Sequence, residues 1–112
     1  MLRDERDYIL RMIAAAAAAV ARLRGKLAGG EAAAEVVQLA RAAQGELLGK
    51  DAALLRALDP ASAARMLGAE RIPAWADLLQ VEAEALRANG RADDAAAAES
   101  RASALTGPKQ KH

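Results

Sequence analysis

Residues 4–27 read DERDYILRMIAAAAAAVARLRGKL, a stretch with no proline and no glycine before position 25. Alanine, leucine, arginine and glutamate are common in it, and these residues have strong helix propensity. Apolar side chains recur at helical spacing and would share one face of a helix: Ile9, Ile13, Ala16, Val20, Leu23 and Leu27. The stretch predicts an amphipathic helix from about Asp4 to Leu27, which Gly29 and Gly30 end because glycine readily adopts the left-handed cap conformation.

The rest of the chain also has helical patterns. No segment alternates apolar and polar residues with period two, so strands are not expected. A second helix is predicted from about Glu31 to Gly49. Its buried stripe comprises Ala33, Val37, Ala40, Ala43 and Leu47. Gly45 inside this helix predicts either a close packing point or a local kink.

Capping residues divide the following segment into two short helices. Asp51 can start the first, which ends before Asp59. Asp59 and Pro60 then start the second short helix, with aspartate at the N-cap and proline at the first helical position. Gly68 ends this helix.

Two further helices are predicted in the C-terminal part. Pro73 opens the fifth helix, and Asn89-Gly90 is a sharp stop. Asp93 and Asp94 suit the first turn of the sixth helix, where negative charge complements the helix dipole. Its narrow stripe comprises Ala95, Ala98, Ala102 and Leu105. The sequence thus predicts an all-α fold of about six helices, with a single helical domain over residues 1–106 and a flexible polar tail over residues 107–112.

Composition limits the classes of function. The 112 residues are 54% hydrophobic, but much of this is alanine, and the aromatic residues are Trp75 and Tyr8. A core this lean predicts a homodimer more often than a monomer. The net charge of +1 is too balanced to indicate nucleic acid or an anionic membrane as partner. The lack of cysteine excludes disulfides and thiol chemistry.

An uncharged run, Met12 to Ala21, raises the question of a membrane or secretory segment. It is much shorter than the about 20 apolar residues of a transmembrane helix. Asp4, Glu5 and Asp7 precede it, whereas a secretory signal has a basic leader. We therefore expect a buried stretch of a soluble helix and a cytoplasmic protein.

Catalytic, cofactor and metal signatures are not found in the sequence. The segment Gly45–Asp51 has one residue too few between its glycines for a phosphate loop, and Asp51 stands where serine or threonine is needed. The only histidine, His112, is the last residue, which leaves the serines without an obvious general base. Glu82 and Glu84 would point about 200° apart on a helix and cannot share a site. The prediction is a protein with no enzymatic activity, cofactor or metal.

Three residues near the start of the first helix are the candidate partner-binding site: Arg6, Tyr8 and Arg11. Tyrosine and arginine are frequent hot spots of protein interfaces. The alternative interpretation is structural, with Tyr8 fastening the helix start to the core and Arg11 paired with Asp7. Trp75 is expected to fill the core near the two short helices.

Two stretches resemble the tetratricopeptide repeat. Ala83, Ala95 and Ala102 reproduce the spacing of Ala21, Ala33 and Ala40, and Gly90 falls where that repeat keeps its turn glycine. Glu82 and Glu99 depart from it, because they occupy positions that the repeat usually keeps apolar.

The N-terminal segment Asp7–Ile13, DYILRMI, is followed by a long helix, by Glu46-Leu47-Leu48-Gly49 and by a C-terminal hairpin. In this the chain is similar to a family of short bacterial proteins of unknown function with tetratricopeptide-like helices. The resemblance implies two antiparallel tetratricopeptide-like hairpins around a pair of short helices, and it implies no activity.

The function expected from the sequence is a non-enzymatic protein–protein interaction module, with a protein partner that the sequence does not identify. One alternative is a self-associating structural homodimer. Another is a weak nucleic-acid or anion binder that uses Arg22, Arg24 and Lys26, although nucleic acid is an unlikely partner for so balanced a charge.

Overall fold

The computed structural model describes the backbone of residues 2–107 and the side chains of residues 4–107. Helices joined by short turns make up this range, which confirms the predicted all-α class, and none of the described residues lies in a strand. The helices are α1 (Leu2–Ala28), α2 (Ala33–Leu48), a 3₁₀ turn (Gly49–Asp51), α3 (Ala52–Ala57), α4 (Pro60–Leu67), α5 (Ile72–Ala88) and α6 (Ala92–Thr106). Apart from Gly107, the predicted tail lies outside the described residues, and so does His112.

The helix ends follow the local capping signals closely. The Asp59 side chain accepts a hydrogen bond of 3.0 Å from the backbone N–H of Ser62, with Pro60 as the first residue of α4. Gly49 caps α2 with a φ of 75°, a left-handed conformation that glycine adopts without strain. Three predicted starts shift by one or two residues: α1 begins at Leu2, α2 at Ala33 and α5 at Ile72.

α5 is the central helix. It packs against α1, α2 and α6, and α4 covers one end of α6 while α3 contacts α2. Most of its side chains are buried as a result: Ala74, Trp75, Ala76, Leu78, Leu79, Val81, Glu82, Ala83, Ala85 and Leu86. Trp75 is 0% exposed and lies in a core cluster with Leu55 and Leu67 of the short helices, which confirms its predicted core position.

The predicted apolar stripes differ in their burial. All four residues of the α6 stripe are buried. On α1 the stripe is buried only at Ala16 and Leu23, while Ile13, Val20 and Leu27 are partly buried. α1 packs mainly against α2 and α5, and most of its side chains are exposed.

Gly45 is not a close packing point. A Cβ built on Gly45 would meet no atom within 4 Å, so nothing in the neighbourhood requires a glycine there. α2 continues through this position to Leu48. The packing interpretation of Gly45 is therefore wrong.

No helix among residues 2–107 combines the length and the apolar character that a membrane crossing requires.

Candidate functional site

The three residues singled out from the sequence lie in the first turns of α1. The Tyr8 side chain is 53% exposed and so does not fasten the helix to the core. An Arg6 guanidinium nitrogen lies 2.6 Å from a carboxylate oxygen of Glu70, which links α1 to the segment before α5. Arg11 is exposed, and among the described residues it forms no salt bridge with Asp7.

Tyr8 lines a cleft of about 510 Å³ between the start of α1 and the end of α2, here called the Tyr8 cleft. Ile9 and Leu48 supply apolar lining, and Lys50 adds a charge at the 3₁₀ turn. Arg71 closes another side, where its guanidinium donates a hydrogen bond of 3.2 Å to the carbonyl of Leu47. The cleft thus combines an accessible aromatic ring with apolar and charged groups.

A second cleft, of about 490 Å³, lies between α2, α3, α5 and α6 and is here called the arginine cleft. Polar and charged side chains make up much of its lining: Arg41, Gln44, Arg56, Glu82, Arg91, Asp94 and Arg101. None of these arginines stands out in the sequence. They are spread over 60 residues of chain, and only the packing of four helices brings them to one place.

A buried hydrogen-bond network forms one wall of the arginine cleft. Glu82 is only 7% exposed, and its carboxylate accepts a bond of 2.8 Å from Arg41 Nε and one of 2.7 Å from Gln44 Nε2. The Gln44 side-chain oxygen in turn accepts a bond of 3.3 Å from the indole N–H of Trp75. A buried carboxylate is tolerated when it is paired and hydrogen-bonded. These partners therefore account for a glutamate at this buried position.

Arg101 covers the indole of Trp75. Its guanidinium carbon lies 5.3 Å from the ring centroid, within the range of a cation–π contact. Arg101 Nη2 also donates bonds of 2.7 Å and 2.9 Å to the carbonyls of Leu55 and Leu58. These carbonyls lie at the end of α3, where helical carbonyls have no intrahelical donor. Arg101 thereby ties α3 to α6 above the tryptophan.

The guanidinium of Arg101 is partly buried, and this affects its pKa. Burial lowers the pKa of the guanidinium from its usual value, because a low-dielectric environment disfavours the charged form. Its Nε is buried and has no hydrogen-bond acceptor among the described residues. Attraction by the Asp59 carboxylate raises the pKa of Arg101, but less than burial lowers it.

Two of the three cations considered for an anion site at the end of α1, Arg24 and Lys26, have acidic partners. Arg24 donates two hydrogen bonds, of 3.0 Å and 2.7 Å, to the carboxylate of Glu84, and this contact raises the pKa of Arg24. Lys26 lies 3.8 Å from Glu31. Much of the positive charge of this turn is thus neutralised, whereas the arginine cleft keeps an excess.

The two acidic residues Glu82 and Glu84 point to different parts of the structure. Glu82 is buried against α2, whereas Glu84 is exposed and pairs with Arg24 of α1. Among residues 4–107, no group of three acidic, histidine or cysteine side chains is placed to hold a metal ion.

Comparison with models of known families gave no match for this chain, and neither the curated proteins nor the solved structures gave one.

Proposed function

We propose that this protein is a non-enzymatic, cytoplasmic protein-binding module that contacts its partner through Arg6, Tyr8 and Arg11 at the start of α1. The observation that carries the proposal is the 53% exposure of Tyr8 beside a cleft of about 510 Å³. A tyrosine combines a large apolar ring with a polar hydroxyl, and such residues contribute disproportionately to interface energies. No cofactor or metal enters this function.

The position of Tyr8 on the helix supports a shared surface with Arg11. The two residues are three positions apart, so their side chains lie on neighbouring parts of one helix face. The Tyr8 hydroxyl and the Arg11 guanidinium can therefore contact the same partner segment. Arg6, two positions before Tyr8, points about 200° away on the helix and pairs with Glu70, so it can contact the partner only beyond the edge of this shared surface.

We also propose that α1–α2 and α5–α6 are tetratricopeptide-like hairpins, as in the bacterial family that the chain resembles. In support, α1 packs on α2 and α5 on α6. The small residues Ala83, Ala95 and Ala102 are all buried where α5 and α6 meet. The first hairpin matches less well, because Ala21 is exposed and Ala33 only partly buried.

A structural homodimer is the second candidate, and a separate face of α1 favours it. Leu10 is 46% exposed, and Ala14, Ala17 and Ala21 follow it at spacings of four, three and four residues. This is the spacing of a helix that pairs with another helix along one seam. Small alanines would let two copies of α1 approach closely.

Quantitative affinity capture from the native lysate tests the protein-binding proposal. The wild type is compared with a Tyr8→Ala, Arg11→Ala double variant. The control is Arg65→Ala, Met66→Ala, which also removes one exposed arginine and one large exposed side chain but lies on α4. Circular dichroism and thermal unfolding verify that both variants are folded.

We expect the wild type and the control to capture one partner that the Tyr8→Ala, Arg11→Ala double variant (the Tyr8 variant) does not capture. With purified partner, loss of a tyrosine hot spot of about 2 kcal/mol corresponds to a roughly 30-fold weaker Kd. Equal capture by all three proteins would refute the site. A stable dimer in light scattering, disrupted by Ala17→Glu and unaffected by the Tyr8 variant, would favour the homodimer instead.

A further inference from the structure

The arginine cleft contains more positive than negative charge. Four guanidiniums and two carboxylates line it, and an arginine side chain stays protonated at physiological pH. Arg41 forms a salt bridge with Glu82, and Arg91 forms one with Asp94. These two pairs are neutral overall. The other two arginines therefore leave an excess of two positive charges in the cleft.

The excess charges belong to Arg56 and Arg101. Neither forms a salt bridge within the described part of the chain. Both are held by backbone carbonyls instead: Arg56 Nη2 donates a bond of 3.0 Å to the carbonyl of Arg41, and Arg101 Nη2 donates to Leu55 and Leu58. A carbonyl orients a guanidinium without cancelling its charge. The two cations are thus positioned before a ligand arrives, which reduces the entropy that binding would lose.

Asp59 attracts Arg101 but forms no salt bridge with it among the described residues. Its carboxylate is the N-cap of α4, where it accepts a hydrogen bond from the backbone of Ser62, and it does not line the cleft. Its attraction to Arg101 is outweighed by burial, which leaves the pKa of Arg101 below its usual value. An anion in the cleft would favour the charged form of this guanidinium, because opposite charges at short distance stabilise each other.

We propose that the arginine cleft binds a small, doubly charged oxyanion, the chemistry shared by a phosphate monoester and a dicarboxylate. Two negative charges match the excess of two positive charges. The planar guanidinium matches the geometry of both carboxylate and phosphate oxygens. The cleft volume of about 490 Å³ lies in the range of small-molecule sites.

The aromatic residue of the cleft argues against a nucleic-acid strand as the ligand. Single-stranded nucleic acids are held by bases that stack on accessible aromatic rings. Trp75 is 0% exposed, so its ring has no open face for a base. The Tyr8 cleft is lined by other residues, and anion binding therefore does not depend on the protein-binding function.

Isothermal titration calorimetry with glycerol 3-phosphate and with succinate tests this proposal. Glycerol and acetate serve as probes of zero and one negative charge. Trp75 is the only tryptophan, so changes in tryptophan emission report on the same cleft independently. The two dianions together distinguish a phosphate site from a dicarboxylate site, and binding of either one supports the shared chemistry.

The Arg56→Gln variant removes one excess charge at an exposed side chain, so the fold should tolerate it. Its matched control is Arg65→Gln, an exposed arginine of the neighbouring short helix that does not line the cleft. The Arg101→Lys variant keeps the second excess charge of the cleft but replaces the planar guanidinium by an ammonium. Circular dichroism checks that this variant is folded.

We expect Arg56→Gln to weaken dianion binding about ten-fold, the loss of one charge-assisted hydrogen bond, while Arg65→Gln binds as the wild type does. Added salt should also weaken binding. Three results would overturn the proposal: no binding of either dianion, acetate bound as tightly as the dianions, or equal weakening by Arg56→Gln and Arg65→Gln.

Discussion

The hydrogen bond between Gln44 and Glu82 couples α2 to α5 inside the protein, and replacing both residues by methionine tests its energetic role. The two side chains are 2% and 7% exposed, and the bond is 2.7 Å long. A hydrogen bond to a charged group contributes about 1.5–3 kcal/mol, and a buried partner left alone loses its full solvation. Each single substitution therefore leaves one polar group buried without its partner.

The magnitudes follow from what each variant leaves unpaired. Gln44→Met removes one of the two donors to Glu82 and also the acceptor of the Trp75 indole, so we expect a loss of about 2–3 kcal/mol. Glu82→Met leaves the Gln44 amide without its acceptor, whereas Arg41 is half exposed and can turn to water, so we expect a loss of about 1–3 kcal/mol.

The double variant leaves neither the Gln44 amide nor the Glu82 carboxylate. The indole N–H of Trp75 and the guanidinium of Arg41 lose their partners, but Arg41 is half exposed and can turn to water, and methionine fills an irregular space well. The double variant should therefore lose less stability than the sum of the two single losses, by about 2 kcal/mol.

Urea unfolding, followed by tryptophan fluorescence and by circular dichroism, gives the free energies for this cycle. The control cycle replaces Arg24 and Glu84 by alanine. That pair forms two hydrogen bonds, one more than Gln44 and Glu82, but both of its side chains are exposed, so its coupling should not exceed about 1 kcal/mol. Additivity of the Gln44 and Glu82 effects to within about 0.5 kcal/mol would refute the reasoning, because it would mean that the bond is not formed in a desolvated environment.

Three further predictions concern single positions. Gly45→Ala should raise the free energy of unfolding by about 1 kcal/mol, because Gly45 lies inside α2 with free space around it, whereas Gly49→Ala should lower it by about 1–2 kcal/mol because Gly49 has a positive φ. A lower free energy of unfolding for Gly45→Ala in urea would contradict this. The hydrogen bonds from Ser62 lower the pKa of Asp59, so the N-cap stabilises α4 above the unfolded pKa and this contribution disappears as the pH falls through the folded pKa. Asp59→Asn should keep the cap and remove that pH dependence of the midpoint of thermal unfolding; an unchanged pH profile would show that Asp59 does not contribute. Arg101→Lys should destabilise the protein by about 1–3 kcal/mol, because an ammonium that donates to the two carbonyls, as Arg101 Nη2 does, leaves no planar group over the indole. An unchanged unfolding midpoint and tryptophan emission would contradict this.

The sequence by itself determined the class of the fold and most of the helix ends. Helix formation and capping depend on residues within about one turn, so Asp59, Pro60 and Gly68 could be assigned without knowing what α4 packs against. The same holds for Asp93 and Asp94 in the first turn of α6. The apolar stripe of α6 was also predictable, because one face of a short helix follows from spacing alone.

Burial along α1 and the role of Gly45 were decided by the tertiary structure. A periodic stripe shows which side chains share a face, but not how many neighbours that face has. α1 lies at the edge of the fold and contacts α2 and α5, so part of its stripe stays accessible. The surroundings of Gly45 likewise depend on how the other helices pack against α2, and there is room for a methyl group at this position.

The arginine cleft depended wholly on the tertiary structure. Glu82 and Gln44 are 38 residues apart, and Arg101 is 46 residues from Leu55, yet each pair is in hydrogen-bond contact. In the sequence these arginines look like the solvated charges of ordinary amphipathic helices. Their meaning as a site arises only when helix packing removes water from some partners and leaves two positive charges without a carboxylate, and neither effect is encoded within a single helical turn.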